Sequence, residues 1–116
     1  MNEALTSQIL AISEPKQFAR LLAIVIHQLT VYARASYRSA VLPGEAGFVR
    51  LQITNELIHE LSAKLRAQID GTAPDQQYPN DVFVQVLIET AKDGCASDLE
   101  QAFRFALERL GSQPVH

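Results

Sequence analysis

Residues 15–40 read PKQFARLLAIVIHQLTVYARASYRSA, and the recurrence of apolar side chains along this stretch decides the fold class. Phe18, Leu22, Val25, Leu29 and Tyr32 step at intervals of three and four, the signature of one face of an α-helix. Leu21, Ile24, Val31 and Ala35 line a neighbouring face, which leaves a narrow polar stripe of Arg20, His27 and Arg34 at intervals of seven. The β-branched run Ile24-Val25-Ile26 favours a strand locally. Against that, 25 residues without Gly or Pro follow Pro15, far beyond the roughly 3–10 residues of ordinary strands. A helix apolar over most of its circumference belongs at the centre of a bundle or in a subunit interface.

Before it, residues 3–12 carry a narrower stripe of Leu5, Ile9 and Ile12, predicting a short helix. Ser13-Glu14-Pro15 reads as a break and restart, with Ser13 as cap and Pro15 in the first turn, where its missing N–H costs nothing. After it, Pro43-Gly44 punctuates a turn over Leu42–Gly47. A third helix is predicted over 47–70, with Leu51, Ile58, Leu61, Leu65 and Ile69 as core face and Gly71 as its stop. Residues 72–78 read as a loop, and Tyr78-Pro79-Asn80-Asp81 as the start of a fourth helix over 80–93. Val82, Phe83, Val84, Val86, Leu87, Ile88 and Ala91 make that helix nearly all apolar, hence central. Gly94 stops it, and Ser97-Asp98-Leu99-Glu100 has capping-box spacing for a fifth helix over 98–110. There Leu99, Phe103, Ala106, Leu107 and Leu110 bury, Glu100, Arg104 and Glu108 form a ladder facing water, and Gly111 precedes a tail. The expected fold is a single all-α domain: an up-and-down bundle of four main helices with the short N-terminal helix on one edge.

Composition narrows the functional classes. The chain has 116 residues, 47% hydrophobic and 20% charged, a globular profile of one-domain size. The longest apolar run, Leu21–Ile26, is far short of the ~20 residues of a membrane span. No basic segment leads into an apolar one near Met1, and Cys95 is the single cysteine, so the expectation is a cytoplasmic protein without a leader. Charge is unevenly spread. Lys16 to Arg50 holds five basic residues and one acid, whereas Leu51 onward holds five basic residues and ten acids. Such halves can attract each other within the fold or between copies.

Motifs carrying chemistry are sparse. Asn55 lies beside the Leu51/Ile58/Leu65 stripe, so it is expected to be buried and hydrogen-bonded to another helix. Glu56 and His59 have the Glu-x-x-His spacing of carboxylate-bridged metal sites, which use the pair twice; here it occurs once, with Glu89 and His27 as the remaining candidate ligands. No bound metal is expected. Asn55, Glu56 and His59, with Tyr32, are the candidate ligand-binding set. Cys95 has no assigned base, and the five glycines stand singly at turns and helix ends rather than in a phosphate loop, so neither catalytic residues nor a cofactor is expected. Tyr32, Arg34, Tyr37 and Arg38 could stack on or pair with nucleic acid, but net charge −3 argues against it. The resulting expectation is a protein-interaction or adaptor module rather than an enzyme, forming a homodimer, with another protein as a further candidate partner. Its interface is predicted on the helix over 15–40, through Phe18, Leu21, Leu22, Ile24, Val25 and Leu29. The competing reading is a small-ligand or metal site around Asn55, Glu56 and His59.

Overall fold

The computed structural model describes residues 2–38, 46–70, 79–92 and 94–112. Five helices account for most of them: α1 (Glu3–Leu10), α2 (Pro15–Arg38), α3 (Ala46–Asp70), α4 (Asn80–Ala91) and α5 (Ala96–Ser112), with no strand among the described residues. The expected turn at Pro43-Gly44, the Gly71 stop, the 72–78 loop and the tail from Gln113 lie outside the described residues.

The four long helices form a ring in chain order. α2 packs along α3 and α5, and α4 closes the ring between α3 and α5, so α2 and α4 sit diagonally opposite. Direction alternates around it. Arg50 near the start of α3 meets Asp98 at the start of α5, while Gln17 at the start of α2 shares a surface cleft with Leu107 and Leu110 near the end of α5. This is the up-and-down all-α bundle that the periodicity predicts. α1 lies on the edge against α5 and α4, burying Leu5 and Ile9.

Local starts and stops differ from expectation in instructive ways. α1 begins because the Asn2 side chain accepts the Leu5 N–H at 2.7 Å, satisfying one of the four donors that a helix start leaves over. At the head of α2 the Phe18 N–H bonds the Glu14 carbonyl at 3.0 Å, so Glu14 rather than Ser13 flanks the helix and Pro15 is its first residue. Pro79 plays the same flanking part for α4, accepting the Phe83 N–H at 2.9 Å. The α5 start falls before the expected capping box: Cys95 offers its carbonyl to the Leu99 N–H, which places Ser97 and Asp98 inside the first turn. Gly111 does not end α5, which runs through to Ser112.

Two predicted faces need correction. Phe18, Leu21, Leu22, Val25 and Leu29 are at most 1% exposed within the chain, and Ile24 is half-buried against the same core. α2 has a neighbour on each side, α3 and α5, so the six residues assigned to a subunit interface pack within the chain, while Val31 and Ala35 on the second face are exposed. On α3 the buried line is Thr54, Leu57, Leu61 and Lys64. Leu51, Ile58 and Leu65 are half-buried, and Ile69 is 71% exposed. α3 is wedged between α2 and α4, so its most buried line bisects those two contacts instead of following its most apolar stripe. α4 is not central either: Phe83, Val84, Leu87 and Ala91 point inward, while Val82 is exposed and Val86 and Ile88 are half-buried.

Candidate functional site

The displaced stripe of α3 opens onto the outside of the bundle. Leu51, Asn55 and Ile58 from α3 face Thr30, Ala33, Arg34 and Tyr37 from α2 across a shallow groove of about 530 Å3. Its floor is apolar, formed by Ala33, Leu51 and Ile58, and its rim carries exposed Arg34, Tyr37 and Asn55. Thr30 spends its hydroxyl on the Ile26 carbonyl of its own helix at 2.8 Å, so it presents mainly its methyl group. Further along α3, a second shallow cleft lined by Ser62, Leu65, Arg66, Ile69 and Asp70 continues the same face. Leu51, Ile58 and Leu65 recur every seven residues, as do Asn55, Ser62 and Ile69. Together they make a seam of the kind that helices use to pack on one another.

Asn55 is therefore exposed rather than buried, and the buried polar residue is its neighbour Thr54. The Thr54 hydroxyl donates to the Arg50 carbonyl at 2.8 Å and lies 3.1 Å from Cys95 Sγ, while the thiol donates to the same carbonyl at 3.1 Å. Two protons make two hydrogen bonds at a time: when either group turns to donate to the other, the Arg50 carbonyl keeps the remaining donor. Burial pushes the Cys95 thiol above its ordinary pKa, partly offset by the hydrogen bond to Thr54. A buried, protonated thiol is a packing and hydrogen-bonding group, not a nucleophile.

The other members of the proposed ligand set are dispersed. Glu56 and His59 are exposed on the outer side of α3, and Tyr32 packs half-buried against the core without lining the groove. Glu89 and His27 are likewise exposed. Among the described residues no three His, Cys, Asp or Glu side chains approach closely enough to hold a metal ion. Of the candidate ligand-binding set, Asn55 lines the groove, and Glu56, His59 and Tyr32 do not.

On the α2 side of the groove, Thr30 and Ala33 have no place in the sequence expectations, and Arg34 and Tyr37 figure there only as candidate nucleic-acid contacts. The available signal was the pairing of Ala33 and Tyr37, one helical turn apart, beside the unused part of the α3 stripe. No described helix is long and apolar enough to cross a membrane. No family model, curated protein or solved structure matches this chain.

Proposed function

We propose that this chain is a helical protein-interaction module that self-associates, and that its contact face is the α2–α3 groove. The observation that carries the reading is the open apolar floor of Ala33, Leu51 and Ile58 beside Tyr37, an aromatic ring left 76% exposed. A surface tyrosine on an apolar groove is the composition enriched at protein contacts, where an amphipathic ring supplies area at low entropic cost. The groove is long and shallow between two helices, a shape that suits another helix better than a small molecule, which needs most of its surface enclosed. Two-fold pairing of one patch with itself is the commonest way soluble chains cover such a face. A single buried thiol and no disulfide fit work in a reducing compartment such as the cytoplasm.

Light scattering across the micromolar range tests the reading. A species of twice 12.8 kDa is expected, and the double variant Tyr37→Glu with Asn55→Glu is expected to return it to one chain with helical content unchanged. Both positions are exposed, so neither substitution disturbs the core. A 12.8 kDa species at every concentration would overturn self-association, and a dimer indifferent to the double variant would overturn the groove as its contact face.

A further inference from the structure

We infer that the two copies pair about an axis running along the groove, so that α2 of each lies against α3 of the other. This rests on the self-association reading and adds to it an orientation. The charges on the exposed sides of α2 and α3 supply the reason. From Pro15 to Arg38, α2 carries Lys16, Arg20, Arg34 and Arg38 and no acid. From Glu56 to Asp70, α3 carries Glu56, Glu60 and Asp70, with Arg66 as the one exposed cation and Lys64 buried.

The spacing matches as well as the sign. Arg20 and Arg34 are fourteen residues apart on the exposed stripe of α2, and Glu56 and Asp70 are fourteen apart on the exposed side of α3. Each interval is about four helical turns, or ~21 Å. α2 and α3 run antiparallel, and an axis along the groove preserves that relation across the interface. Arg34 then falls at the level of Glu56 of the partner subunit, and Arg20 at the level of Asp70 of the partner subunit. Within one chain, among the described residues, these four groups form no ion pair with one another. An axis across the groove would instead set α2 against α2, cation against cation, which is the juxtaposition that specific interfaces avoid. Apolar contact along the floor supplies attraction, and the charged edges choose the orientation.

Charge-reversal mixing tests this. Arg20→Glu with Arg34→Glu makes one variant, and Glu56→Arg with Asp70→Arg makes the other; all four positions are exposed, and circular dichroism checks that each variant is folded. Each variant alone is expected to self-associate at least about tenfold more weakly than the unaltered chain, because every cross-chain pair becomes like-charged. An equimolar mixture is expected to regain the dimer as a heterodimer, since every pair is opposite again. If the arginine-reversed variant alone dimerises as tightly as the unaltered chain, α2 faces α2, where the charges are alike before and after the exchange; the axis then lies across the groove and the orientation is wrong. If the variants weaken but the mixture does not recover, the pairing of edges is wrong. In both cases the unaltered chain remains dimeric, whereas a monomeric unaltered chain overturns the self-association reading itself.

Discussion

Arg50 grips Asp98 with both arms of its guanidinium: Nη2 lies 2.6 Å from Oδ1 and Nε lies 2.7 Å from Oδ2. The contact joins the basic half of the sequence to the acidic half and fixes the start of α3 against the start of α5 across the corner of the bundle. Hydrogen bonding to Asp98, more than charge alone, raises the pKa of Arg50 further above its already high ordinary value. The fork geometry matters because a planar guanidinium offers two parallel donors and an ammonium does not. Arg50→Lys is therefore expected to lose most of what Arg50→Ala loses. Half-exposure of the arginine keeps both losses near 0.5–1 kcal/mol. Urea midpoints of the two variants within error of the unaltered chain would show that the pair contributes nothing.

Thr54 and Cys95 share the Arg50 carbonyl, and the hydroxyl is buried. Thr54→Val keeps the shape and removes the donor, leaving the thiol as that carbonyl's remaining side-chain partner. A loss of about 1 kcal/mol is expected in chemical denaturation, typical of one net hydrogen bond.

Cys95 is expected to react slowly with thiol reagents in the native state and at the ordinary rate in urea. Its titration also has a sign. The folded chain holds the thiol proton above the pH at which the unfolded chain releases it. Stability is therefore fully present below the ordinary thiol range and falls as pH rises through it toward the raised native value. Denaturation midpoints at pH 7 and pH 9.5 measure this, and Cys95→Ser is expected to flatten the dependence in that window.

Gly94 sits in the turn between α4 and α5, where an added Cβ would come 3.2 Å from Ile53 Cδ1 and 3.7 Å from the Arg50 Cα. The nearer atom is the tip of a flexible side chain, so Gly94→Ala is expected to be tolerated within about 1 kcal/mol. Gly94→Leu adds bulk that the fixed α3 backbone cannot clear, and it is expected to cost about 1–3 kcal/mol, as overpacking does. Thermal midpoints of the two variants separate these outcomes.

Asn2 caps α1 through its side chain, and an eight-residue helix has little stability of its own. Asn2→Ala is expected to cost about 1 kcal/mol, and Asn2→Ser much less. Amide exchange in α1 should accelerate in the alanine variant while α3 is unaffected.

Helix number, order and approximate bounds were legible because apolar spacing and Gly/Pro punctuation are local properties. Which side of a helix faces which neighbour was not. α2 reads as having a spare apolar face because it packs on both α3 and α5, and a sequence does not say how many neighbours a helix has. The reverse error fell on α3, where Leu51, Ile58 and Leu65 read as core but sit at the edge of it, carrying Asn55 outward with them. A rotation of one residue, 100° on the helical wheel, exchanged Asn55 for Thr54 as the buried polar group. The Arg50–Asp98 pair was invisible for another reason. It joins positions 48 apart through a corner whose geometry only the closed ring defines.

The placement of α1 has a consequence for how the chain is made. Its buried residues Leu5 and Ile9 rest against α5 and α4, and α5 begins about 85 residues later. At about 5–20 residues per second, α1 leaves the ribosome roughly 4–17 seconds before its main partner exists. Closing a contact between such distant positions also carries the largest loop-entropy cost in the chain. The α2–α3 hairpin, by contrast, can form as soon as it is synthesised. Although synthesised well before α5, α1 is thus expected to be among the last of these helices to dock, and until it does, the apolar stripe that α1 covers on α5 stays open to chaperones or to aggregation.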